Sequence, residues 1–233
     1  MVHNQSSYEL LNYLISTSKS EVNSNHIPSL KELSQQLEVS IALLREQLEV
    51  AKAFGFVDVR PRTGIKRLPY SFLPAVRQSL FYAIEIDRKK FQYFSDLRNH
   101  VEAAYWYEAA ASMTKEDIDE LRGLVESAWK KLRNPQIQIP HQEHRSLHLS
   151  IYKRLDNPFV QGILEAYWEA YESVGLQDYA GFDYLEKVWN YHQRMVELIS
   201  SGDFYEGYRV LVEHSNMIHH LLHLKPLSSD PAK

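Results

Sequence analysis

Residues 27–67 read "IPSLKELSQQLEVSIALLREQLEVAKAFGFVDVRPRTGIKR", and their punctuation dictates a small α/β module. Pro28 suits a helix entrance and Ser29 an N-cap. Behind them Leu30, Leu33 and Leu37 recur at the spacing of one helix face. Ser40 offers a second N-cap, and the helix it opens runs to Gly55, a natural stop. From Phe56 apolar and polar residues alternate around a Pro/Gly turn, which predicts a hairpin. Upstream, "SSYELLNYLIS" (6–16) has helical spacing of its own. Helix, turn, helix and then a hairpin is a winged helix-turn-helix. The hairpin is basic: Arg60, Arg62, Lys66 and Arg67 fall in the single stretch "RPRTGIKR".

Beyond Ser71 the pattern turns wholly helical. Turn signals predict helices over 72–85, 88–112, 114–132, 141–155, 157–175, 182–200 and 203–223, with Thr114 and Asp117 spaced as a capping box. The expected fold is mainly α, an N-terminal winged helix-turn-helix followed by an antiparallel all-α bundle. The expected domains are 1–70, a linker at 71–76 marked by two nearby prolines, a bundle over 77–225 and a tail over 226–233. At 233 residues and 44% apolar, the chain has enough material for two packed cores. No apolar run approaches the ~18 residues a membrane span needs, and "MVHNQSSYELLNYLISTSKSE" does not read as a signal peptide. The expectation is a cytoplasmic protein with no membrane partner. The absence of cysteine excludes disulfides and thiolate metal sites. A net charge of −4 argues against a nonspecific nucleic-acid coat and leaves the basic hairpin as the local exception.

Histidine is the other signal. His144 and His148 stand one helical turn apart in "HQEHRSLHLSIYKRLDNP" (141–158). His192 lies ten residues before Gly202 and His214 twelve after it. If the chain reverses at "SGD" into two antiparallel helices, both histidines sit at one level, roughly 15–18 Å from the turn. Three helices then bring four imidazoles to mid-bundle, a donor set suited to Zn, Ni or Cu. The alternative is ordinary core and solvated histidines. His219, His220 and His223 read as an exposed helix end. Arg98 carries a planar fork suited to a carboxylate, or forms a structural ion pair with Glu102 one turn on.

The first stretch resembles the winged-helix domain of GntR-family repressors. The second half resembles the effector domain of their FadR-like subgroup, the FCD domain. There "LRNHVEAAYWYEAAASMTKEDIDEL" (97–121) carries an Arg-x-x-x-Glu helix followed by Thr and an acidic helix start. "HRSLHLSIYKRLDNP" (144–158) matches an Asp-x-x-Phe-His…Asn segment in spacing, and "HQRMVELISSGDFYEGYRVLVEH" (192–214) matches a His…Gly-Asp…His ending. The resemblance implies a homodimeric transcriptional regulator, a repressor, that binds a short palindromic operator in double-stranded DNA and answers to a small carboxylate effector. It implies DNA contacts from Lys31, Ser40, Ile41, Ala42, Arg45, Arg60, Arg62, Thr63 and Gly64, and an effector contact from Arg98. It further implies a divalent metal held by an Asp and three His. His148, His192 and His214 match the His positions, His144 stands where the Asp is expected, and Zn or Ni is favoured over Mn. The chain departs from the family pattern at Leu30-Lys31, Ile41 and Leu43, which bears on operator sequence. Two rivals remain, a metal-free regulator of this fold and a helical-bundle metalloenzyme. The second is disfavoured because the chain has no Glu-x-x-His, His-Glu-x-x-His, nucleophile-elbow or phosphate-loop pattern.

Overall fold

A computed structural model describes residues 8–18, 25–175 and 181–224, the last seven by backbone alone. The chain divides into two compact units, Met1–Ala75 and Val76–Lys233.

In the first unit the elements are α1 (Glu9–Ser18), β1 (His26–Ile27), α2 (Leu30–Leu37), α3 (Ile41–Ala53), β2 (Val57–Arg60) and β3 (Gly64–Arg67). Local chemistry sets their ends. Ser29 and Glu32 form a reciprocal capping box at the start of α2. Its exit runs through Glu38 in the left-handed region (φ 56°). The Ser40 hydroxyl then accepts the Leu43 N–H at 3.1 Å and opens α3. Gly55 (φ 70°) ends that helix, and a Cβ there would lie 2.7 Å from Pro74. Leu10, Leu14, Leu33, Leu44, Leu48, Val57 and Ile65 fill the core. The buried Gln47 side chain accepts the Leu10 N–H at 2.8 Å and ties α1 to α3.

The expected hairpin forms, with Val59 opposite Ile65 and Arg60 opposite Gly64. The sheet has a third strand that the sequence did not announce. β1 pairs antiparallel with β3, Ile27 opposite Ile65, giving the order β1-β3-β2. Two residues are too few for alternation to register.

The second unit is helical: α4 (Leu73–Ile86), α5 (Lys90–Ser112), α6 (Lys115–Leu132), α7 (His141–Tyr152), α8 (Pro158–Ser173), α9 (Phe182–Ser201) and α10 (Phe204–Leu224). α4 begins at Leu73, inside the stretch read as a linker, with Pro74 in its first turn where a missing N–H costs nothing. α7 ends three residues earlier than expected, and Asn157 then caps α8 by accepting from the Phe159 and Val160 N–H groups. Gly202 (φ 78°) turns α9 back into α10, and the Asp203 carboxylate accepts the Glu206 N–H at 3.1 Å. α5 packs against α7, α8 and α10, and α6 against α7 and α9. Trp106, Leu121, Leu147, Ile151, Leu164, Trp189 and Met195 are buried between them. Among the described residues no helix is long and apolar enough to cross a membrane. The tail expected over 226–233 and the side chains of His219, His220 and His223 lie outside the described residues.

Candidate metal centre

The antiparallel turn at Gly202 brings His192 of α9 and His214 of α10 together. Their Nε2 atoms are 3.1 Å apart. From α7, the Nε2 of His148 lies 3.2 Å from the Nε2 of His192. His144, one turn earlier on α7, sets its ring 4.7 Å from that of His192 and 5.2 Å from that of His148. All four residues are buried, and each offers a ring nitrogen within 4.8 Å of the others. Trp168 and Tyr171 of α8 and Trp189 of α9 wall the cluster, Trp168 edge-on to His144 at 4.7 Å.

Electrostatics keep these rings neutral. Burial holds His144, His192 and His214 well below the ordinary imidazole range, and mutual repulsion with the neighbouring cations adds to it. His148 is also lowered, first by burial, although Glu102 opposes the shift. A neutral ring keeps a lone pair, which is what ligation needs.

The donor set fits a cation better than it fits itself. His192 Nε2 faces two other Nε2 atoms, and one neutral nitrogen cannot pair well with both. His144 Nε2 is buried with no hydrogen-bond partner, and so are the Nδ1 atoms of His192 and His214. Such orphaned polar atoms are costly in a packed interior. A divalent ion among the four rings would engage the inward nitrogens, and nitrogen-only donors suit Zn, Ni or Cu better than Mn.

α5 supplies the charged flank. Arg98 Nη2 lies 3.2 Å from Glu102 Oε1, and both side chains are wholly buried. Both also touch the cluster: His148 Nδ1 is 3.1 Å from Glu102 Oε1 and 3.2 Å from Arg98 Nη2. The two readings of Arg98, ion pair and site residue, therefore describe one arrangement. The guanidinium stacks over Tyr167 at 4.4 Å and donates to Asn99 Oδ1 at 3.0 Å. Burial pushes the Glu102 carboxyl up, but Arg98 and His148 together outweigh it and hold the group below its ordinary value. The Tyr152 hydroxyl donates to the Glu102 backbone carbonyl at 2.9 Å and fixes that turn of α5.

Neighbouring residues stand apart from the centre. Glu143 turns away, accepting from Ser127 at 2.9 Å and Lys131 at 2.8 Å. His141 stacks on Tyr171 and lies 3.1 Å from Glu172. In the sequence Glu102 reads only as an ion-pair partner of Arg98. The Arg-x-x-x-Glu spacing pairs Glu102 with Arg98 but does not reveal its contact with His148.

The residues read as DNA contacts form a separate group in the first unit. Ser40, Ile41, Ala42 and Arg45 are exposed at the start of α3, with Ile41 40% accessible. Lys31 is exposed in the first turn of α2. Arg60, Arg62, Thr63 and Gly64 are exposed on the β2–β3 wing, where Arg62 (φ 70°) and Gly64 (φ 74°) shape the turn. Arg60 is paired with Asp58 at 2.6 Å.

Residues 94–217 match the FCD domain, and the chain belongs to that family. The fold of nearly the whole chain is that of GntR-type proteins. A GntR protein of Streptococcus agalactiae is 16% identical with a TM-score of 0.66, covering 91% of this chain and 97% of its own. McbR/YncC of E. coli is 18% identical with a TM-score of 0.53, covering 94% and 99%. Lar, which controls expression of the Listeria monocytogenes agr system, is 14% identical with a TM-score of 0.53, covering 94% and 95%. A search of curated proteins finds no match. The family model thus places the helical unit with FCD domains, and the fold of the chain is shared with GntR-type proteins.

Proposed function

We propose that this protein is a homodimeric, DNA-binding transcriptional repressor whose helical unit holds a divalent ion on His144, His148, His192 and His214 and takes a small carboxylate effector beside Arg98. The observation that carries the reading is the buried four-imidazole cluster touched by an arginine, in a chain of the FCD family. Zn or Ni is the ion the donor set favours, with Mn behind them. When bound, it would supply a Lewis-acid position for an effector oxygen. The protein's own part is to exclude water with Trp168 and Trp189 and to offer the Arg98 fork to a carboxylate. Effector binding would shift the population between DNA-competent and DNA-incompetent arrangements.

On the DNA side, Arg45 and the basic wing suit phosphate and guanine, and Ile41 suits a thymine methyl where relatives carry Arg. Two-fold symmetry in the dimer would be mirrored in a palindromic operator. Selection from random double-stranded DNA tests the reading. An enriched palindrome, lost on Arg45→Ala and weakened steeply by salt, is expected. Selection that enriches no palindrome would overturn it, as would light scattering that shows a monomer on DNA.

A further inference from the structure

We infer that Glu102 is the positioning residue of the metal centre: its carboxylate holds His148 in the tautomer that presents a free Nε2 to the ion. The inference rests on the metal reading above and names a residue which that reading does not require.

The argument is proton placement. A neutral imidazole carries one N–H and one lone pair, and the hydrogen bond at one ring nitrogen decides what the other can do. His148 Nδ1 has two neighbours of opposite demand. Arg98 Nη2, at 3.2 Å, has only protons to give, whereas Glu102 Oε1, at 3.1 Å, has only lone pairs. If Nδ1 accepts from Arg98, the ring proton sits on Nε2 and points at the Nε2 of His192, 3.2 Å away, where the ion would have to be. If Nδ1 donates to Glu102, the Nε2 lone pair is free. The change moves one proton between the two nitrogens of one ring and releases none.

His148 is the ring at which the chain can make this choice. The Nδ1 atoms of His192 and His214 are buried and meet no partner, so no neighbour fixes their protons. Glu102 is itself held from three sides. Arg98 pairs with its Oε1, the Tyr152 hydroxyl bonds its carbonyl, and α5 fixes its backbone. Its other oxygen, Oε2, is buried without a protein partner, so no second protein donor competes for the carboxylate's place at His148. A carboxylate behind a ligating histidine raises the ligand's basicity and fixes the ring. Removing such a group typically costs 10–100-fold in metal affinity.

The test uses the full-length protein stripped with a chelator and titrated with zinc against a chromophoric competitor. Wild type, Glu102→Gln and Glu143→Gln are compared, the last being a buried carboxylate of α7 that faces Lys131 instead of the cluster. Glu102→Gln should bind zinc about 10–100-fold more weakly, and Glu143→Gln should match wild type. Long-range 15N–1H correlation spectra of the histidine rings give the second readout. In metal-free wild type His148 should carry its proton on Nδ1, and in Glu102→Gln that preference should be lost. A metal-free wild-type spectrum with the proton on Nε2 overturns the inference even if the variant fails to fold. Zinc affinity in folded Glu102→Gln within threefold of wild type does so as well. Wild type that takes up less than a tenth of an equivalent of zinc overturns the metal reading itself, and the inference with it.

Discussion

His144 is the residue that separates this centre from the pattern its family resemblance implies. Replacing a carboxylate ligand with imidazole removes a negative charge and a hard oxygen donor, so the site should lean toward Zn and Ni. His144→Ala removes a ligand and should weaken zinc binding by more than the roughly 10–100-fold typical of losing an outer-shell partner, whereas His141→Ala should leave it unchanged. His144→Asp should keep a divalent site and raise the affinity for Mn relative to Zn, both read by competition titration. Another carboxyl, Asp117, contributes to stability against acid. The hydrogen bond from Arg154 chiefly, with Lys153 and the Thr114 N–H, holds it well below the usual carboxylate range. A depressed folded pKa stabilises fully above the unfolded value of about 3.9, and the contribution fades as pH falls toward the folded value. The melting temperature of Asp117→Asn should therefore trail wild type by a constant gap from pH 5 to 8, and the gap should shrink below about pH 4. Thermal melts across that range check it. The four histidines were legible because helical spacing and one turn fix their level. Glu102 was not, because a buried Arg98–Glu102 pair has the same i, i+4 spacing as a surface one.

At the level of elements, the chain states its boundaries through caps. Ser29, Ser40, Thr114, Asn157, Gly55 and Gly202 each end or begin a helix where their chemistry says they should. That is why ten helices could be read from residue types with errors of a few positions. β1 could not, since its pairing with β3 is a tertiary event on two residues. Packing between elements was also hidden. Gly207 in α10 reads as a weak helix position, yet a Cβ there would lie 2.7 Å from Trp106 Cζ2. The indole cannot easily retreat, because its Nε1 donates to the Phe204 carbonyl at 2.8 Å. Gly207→Ala should destabilise by roughly 1–3 kcal/mol despite its better helix propensity, as overpacking does. Denaturant unfolding measures this. A stabilised variant would contradict the close approach.

For the whole molecule, an ion that binds only the folded state adds RT ln(1+[L]/Kd), or about 2.7 kcal/mol at 100-fold saturation. Chelation should lower the melting temperature of wild type, and His148→Ala should melt at one temperature with or without chelator. The basic wing and the acidic balance of the chain as a whole are compatible with the proposed DNA binding, because an operator would sense only the nearby charges, within a Debye length of about 8–10 Å. A final consequence follows from the all-nitrogen cluster in a chain without cysteine. Nitrogen donors neither form disulfides nor climb the sulfenic-to-sulfonic ladder. Thiol-directed oxidants and mercurials should leave the zinc capacity of these four histidines untouched, because the chain offers them no thiol to attack.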